Sequence, residues 1–124
     1  MAIASPKRVS QAQHDQLVGT VAAALLARGY LPVYAHLAGY TQPLQIGEHI
    51  PDVTGYLSGA LRVVVEVETS ESVNDAHTES QWRAFSLHAL LCSATFAVAV
   101  PRGSGRSAQL RLTQLGLSGV VWEF

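Results

Sequence analysis

The chain has 124 residues, 48% of them hydrophobic and only 14% charged, with a formal net charge of −1. That length suits one domain with a core of its own, and the near-neutral balance excludes a global basic field of the kind that draws a protein to nucleic acid. The lone cysteine, Cys92, excludes an internal disulfide.

Residues 1–9 read as an N-terminal tail. Ser10-Gln11-Ala12-Gln13 fits a capping box, and a helix is expected from there to about Arg28, with Leu17, Val18, Val21, Ala24 and Leu25 at helical spacing. Gly29 is a suitable stop. His14 and Asp15 fall on the first turns and read as a solvated helix start. Leu31 to Leu37 reads as a strand, with Pro32 near its beginning. Ala38 to His49 holds two glycines and a proline and reads mostly as loop. Pro51 to Thr69 follows as a β-hairpin. Ser70 to His77 is a polar loop. Thr78-Glu79-Ser80-Gln81 is a second capping box, opening a helix to about Cys92 whose apolar stripe is Trp82, Phe85, Ala89 and Cys92. Cys92 itself reads as a small core residue. Ala94 to Val100 is a buried strand parallel to its neighbour. Arg102 to Arg106 is a Gly/Ser loop, Gln109 to Leu115 completes a short helix stopped by Gly116, and Gly119 to Phe124 is a final strand. The order α-β-β-β-α-β-α-β predicts an α/β fold: one mixed sheet flanked by helices on both faces.

The hairpin carries the chemistry. Side chains alternate along a strand, so Glu66 and Glu68 share one face while Val63, Val65 and Val67 take the other. Adjacent acids at the end of an apolar strand repel one another, and a divalent cation would relieve the penalty. The register decides whether Asp52 joins them, since a slip of one residue reverses every side chain. A two-residue turn at Ser58-Gly59 would set Asp52 opposite Val65, on the wrong face. A three-residue loop, Ser58-Gly59-Ala60, sets Leu57 opposite Leu61, Tyr56 opposite Arg62 and Asp52 opposite Glu66. Opposed Cβ atoms lie ~4.5–5.5 Å apart, close enough to share an ion, and this register is preferred.

Pro51-Asp52 at the start of one strand, Glu66-Val67-Glu68 at the end of the next, and Gln81 to Phe85 on the following helix complete a pattern. It resembles the PD-(D/E)xK, or restriction-endonuclease-like, nuclease superfamily. The resemblance covers roughly residues 10–101 and includes the α-β-β-β-α-β core; the C-terminal helix and strand are additions. Gln81-x-x-x-Phe85 is similar to the Gln-x-x-x-Tyr of the RecB-like branch. The resemblance implies a single restriction-endonuclease-like domain over 1–124 that hydrolyses phosphodiester bonds with Mg²⁺ or Mn²⁺. It implies Asp52 and Glu66 as metal ligands and puts Glu68 in the position of the motif lysine. The sole lysine, Lys7, lies in the expected tail. The family's acid on the first helix has Asp15, or more weakly His14, as its counterpart.

Read chemically, a Mg²⁺ held by two carboxylates lowers the pKa of its bound water and screens a phosphate. Asp52, Glu66, Glu68 and Gln81 are the candidate catalytic residues, with the carbonyl of Val67 a further candidate metal ligand. Arg83, Arg102 and Arg106 are candidates for phosphate contacts. Two other readings stand beside a nuclease. One is a catalytically inactive module of the same fold that binds a partner or nucleic acid; the other is a structural subunit of an oligomer. The acids also read as a solvated sheet end, and Trp82 and Phe85 as core. The five histidines show no zinc-site spacing. The low charge density predicts an apolar outer patch and a homodimer. No apolar run reaches the ~18 residues of a membrane span and no signal peptide is evident, so a cytoplasmic protein is expected.

Overall fold

The computed structural model describes residues 6–69 and 71–124, with side chains described from residue 11 onward. The elements are α1 (Pro6–Ala27), β1 (Val33–Ala35), β2 (Val53–Leu57), β3 (Ala60–Val67), α2 (Ala76–Leu91), β4 (Thr95–Val100), α3 (Gly105–Leu115) and β5 (Val120–Glu123). The strands form one sheet in the order β1-β2-β3-β4-β5. The first three pair antiparallel; β3, β4 and β5 run parallel, joined by the α2 and α3 crossovers. Over the described residues this is an α/β fold with a five-stranded mixed sheet and three helices, in the expected order.

The sheet divides two cores by strand alternation. Val53, Val63, Val65, Val67, Ala97 and Ala99 face α1 through Val18, Val21, Ala22 and Leu25. Val64, Phe96, Val98 and Val100 face α2 and α3 through Trp82, Phe85, Ala89, Ala108 and Leu112. β3 and β4 are buried on both faces, as parallel strands between two helical layers must be.

Several boundaries move, each for a local reason. Helix α1 starts at Pro6, so Ser10–Gln13 lies inside it and is not its cap; proline at a first helical position lacks only an N–H that would be unpaired anyway. Residues 1–5 of the expected tail lie outside the described residues, as does Ser70 of the expected loop. Residues 6–9, Lys7 among them, belong to the helix. Helix α2 is capped by Asp75, whose carboxylate accepts from the His77 N–H at 3.1 Å. Thr78 is a buried residue of the first turn, which leaves the Thr78–Gln81 box without a capping role. Cys92 is exposed, not core, because the helix ends at Leu91 and the stripe stops at Ala89. Gly105 and Arg106 belong to α3, not to a loop, and Gly116 closes that helix in the left-handed conformation at φ 67°.

The hairpin reaches the preferred pairing by another route. Ser58 and Gly59 alone make the turn, with φ of 51° and 79°, the positive values a two-residue hairpin turn requires. Leu57 therefore faces Ala60 and Tyr56 faces Leu61, so the expected three-residue loop and the Tyr56–Arg62 pairing are not found. The register then shifts between Gly55 and Tyr56, with Arg62 as the extra residue of a bulge, and Gly55 faces Val63, Thr54 Val64 and Val53 Val65. The next positions outward are Asp52 and Glu66.

An apolar outer stripe is present on α2, where Leu87, Leu90 and Leu91 are all more than half exposed and fall on one helical face. Among the described residues no helix is long and apolar enough to cross a membrane. Because nothing lies within 4 Å of a Cβ built at Gly59, Gly59→Ala tests the turn's backbone alone. A side chain there is expected to lower stability by about 1–2 kcal/mol with the register unchanged, measured by thermal melting and by amide NMR of the hairpin.

Candidate functional site

Beyond Val53 and Val65 the hairpin is closed by side chains. The Asp52 N–H donates to Glu66 Oε1 at 3.1 Å, and the Val67 N–H donates to Asp52 Oδ2 at 2.8 Å. The two carboxyl groups thus stand side by side on one end of the sheet, where Asp52 is 7% exposed and Glu66 3%. Glu68 is 4% exposed and is gripped at both oxygens: Trp82 Nε1 donates to Oε1 at 3.2 Å, and the Ser72 hydroxyl donates to Oε2. The core tryptophan of α2 is therefore also the group that orients the third acid. From α1, His14 Nε2 reaches Asp52 Oδ2 at 3.2 Å, while Nδ1 lies 3.4 Å from Asp15.

Burial governs the charges. Desolvation, and then repulsion from Asp52 and Glu68, holds the Glu66 carboxyl well above the usual range. Desolvation also lifts Glu68 to about 7, against the opposing hydrogen bond from Ser72. The hydrogen bond to Asp52 raises His14 to about 9, more than burial lowers it. The cluster carries its own counter-ion in the His14 imidazolium.

These groups line a cleft of about 640 Å³. Asp52, Glu66, Val67, Glu68 and Gln81 all face it, so the expected catalytic and metal-binding residues are brought together. Arg83, Arg102 and Arg106 do not line it. Arg83 is instead paired with Glu79 at 3.1 Å, one turn earlier on α2; Arg102 lies beyond β4 and Arg106 on α3. Asp15 does not face the cleft either. His14 does, which corrects its reading as a solvated helix start. His36, His49 and His77 line the cleft as well. They come from separate loops and a helix start, so no sequence spacing joins them; a run of polar loops flanking the acid hairpin was the available signal.

Among the described residues, no three His, Cys, Asp or Glu side chains are placed as a ready metal-binding group. The donor chemistry nonetheless fits a hard cation. Mg²⁺ needs only one or two carboxylates, with waters and substrate phosphate completing its shell, and Asp52 and Glu66 supply two. Compared with known proteins, the chain matches no family model, no curated protein and no solved structure.

The raised values give a pH signature. A group whose folded value is raised adds stability that is full below its ordinary value and lost as pH rises through the folded one. For Glu68 that window runs from 4.5 to about 7, and for His14 from 6.5 to about 9. Metal-free protein is expected to lose melting temperature across both windows. Glu68→Gln is expected to gain on the wild type between pH 4.5 and 7, and His14→Gln to lose its disadvantage as pH approaches 9. Thermal melts in chelator across this range measure both.

Proposed function

We propose that the chain is a metal-dependent nuclease-like domain that hydrolyses phosphodiester bonds in nucleic acid. The observation that carries this reading is the pairing of Asp52 with Glu66 on the lining of a cleft that Glu68 and Gln81 also line. The α-β-β-β-α-β order, with its antiparallel meander followed by a parallel strand, supports a restriction-endonuclease-like core. Asp52 and Glu66, with the Val67 carbonyl, would hold Mg²⁺ or Mn²⁺, which supplies Lewis acidity to the phosphate and to a coordinated water. Glu68, with a value of about 7 and both oxygens fixed, suits acceptance of a proton near neutral pH. Gln81 offers an amide to the water or the phosphate.

A second reading, an inactive module of the same fold that binds a partner or nucleic acid, is favoured by one observation. Glu68 stands where the resembled family has lysine, and Trp82 and Ser72 hold it in place.

Thermal melting with divalent ions and a cleavage assay on DNA and RNA oligonucleotides separate the two. An ion bound only by the folded state stabilises it by about 2.7 kcal/mol at a hundredfold excess over its dissociation constant. The melting temperature is expected to rise by several degrees with Mn²⁺ or Mg²⁺, and Asp52→Asn to remove most of that rise. Glu68→Gln, which removes the proton acceptor with little change in shape, is expected to remove most cleavage in a nuclease, whereas an inactive module has none to lose. If neither ion moves the melting curve, the catalytic reading is withdrawn.

A further inference from the structure

The cleft poses a problem of charge. Five of its described lining residues are acidic (Glu48, Asp52, Glu66, Glu68 and Asp75), and no described lining residue is an arginine or lysine. A phosphodiester strand needs donors for its anionic oxygens, and the arginines that the sequence nominates lie elsewhere. The remaining basic side chains in the cleft are histidines. His14 is engaged by Asp52.

Two of the others are built as a pair. His49, from the loop before β2, and His77, from the first turn of α2, stand edge to face with ring centroids 5.5 Å apart and planes at 74°. His49 is anchored further, with Nε2 3.0 Å from Ser80 Oγ and its ring edge-on to the buried Phe85 at 6.1 Å. An imidazole presents one N–H when neutral and two when protonated. Two rings held in fixed relation on the lining of an otherwise acidic cleft thus offer donors where the carboxylates offer none.

Resting on the phosphodiester reading above, we propose that His49 and His77 form a phosphate-binding subsite, which receives a backbone phosphate flanking the one at the acid cluster. Ser80 and Phe85 act as positioning residues for His49.

The test titrates the full chain with a short oligothymidylate and, separately, with inorganic pyrophosphate. Binding is followed by fluorescence anisotropy and by NMR of the histidine ring protons. In the wild type the His49 and His77 resonances are expected to shift on saturation, while those of His88, which lies outside the cleft beside Cys92, stay in place. The double variant His49→Gln/His77→Gln is expected to weaken oligonucleotide binding roughly tenfold to a hundredfold, the range for hydrogen bonds to a charged group. Arg102→Ala and Arg106→Ala are expected to leave it unchanged. Unshifted His49 and His77 resonances at saturation overturn the subsite, as does an unchanged affinity in a folded double variant or an absence of binding by either probe. The two claims fail separately. Histidine-dependent binding without cleavage keeps the subsite and rejects hydrolysis; cleavage with an unchanged KM in the double variant does the reverse.

Discussion

Two hydrogen bonds at the open end of the hairpin hold the site together: Asp52 N–H to Glu66 Oε1, and Val67 N–H to Asp52 Oδ2. Past Val53 and Val65 the carboxyl oxygens replace main-chain carbonyls as acceptors for strand N–H groups. The acids are therefore part of the sheet's hydrogen bonding before they are part of any chemistry. An N–H donor favours a charged carboxylate, and burial opposes it. Truncating Asp52 would leave the Val67 N–H without its acceptor in a buried position, which costs more than the bond itself contributes.

Three other segments converge on the cluster of Asp52, Glu66 and Glu68, and each brings a group that answers a charge. Helix α1 brings His14 to Asp52. The turn after β3 brings Ser72 to Glu68, and α2 brings Trp82 to its other oxygen. The meeting place follows from topology. Strands β3 and β4 run parallel, so the chain must cross over through α2, whose N-terminus starts near the carboxyl end of β3. Open α/β sheets place ligand sites at that end. The same alternation that sends Val63, Val65 and Val67 toward α1 sends Glu66 and Glu68 the other way.

That alternation was legible in the sequence, as were the element order, the parallel strand after the second helix and the grouping of Asp52, Glu66, Glu68 and Gln81. The hairpin pairing was legible only in its outcome. The loop expected over Ser58-Gly59-Ala60 is a turn one residue shorter, and a bulge at Arg62 restores the missing residue. Two departures of one residue cancel, and without the bulge Asp52 would face away from Glu66. Periodicity within one strand cannot locate such a bulge, because the extra residue is defined only by the pairing with the partner strand. The cap of α2 differs from the expected one because Asp75 and Thr78 both have capping side chains, and it is the Asp75 carboxylate that meets a first-turn N–H, that of His77. The histidines were missed for a different reason. His14, His36, His49 and His77 belong to four separate segments and become neighbours only through tertiary folding.

The position of Glu68 clarifies how three buried acids coexist. A lysine there would set a cation beside the Asp52–Glu66 pair on its own strand. With glutamate in that place the positive charge enters from the other side, as the His14 imidazolium of α1. This arrangement has two consequences. The cluster's charge balance comes to depend on the docking of α1 against the sheet, through Val18, Val21 and Leu25 as well as through the ion pair. And the third acid, lifted to about 7 by desolvation, changes protonation state near neutral pH, which a lysine with an ordinary value near ~10.4 does not. A carboxyl group held near neutrality by its surroundings is thus able to take up and release a proton, whereas a lysine in its place would stay charged.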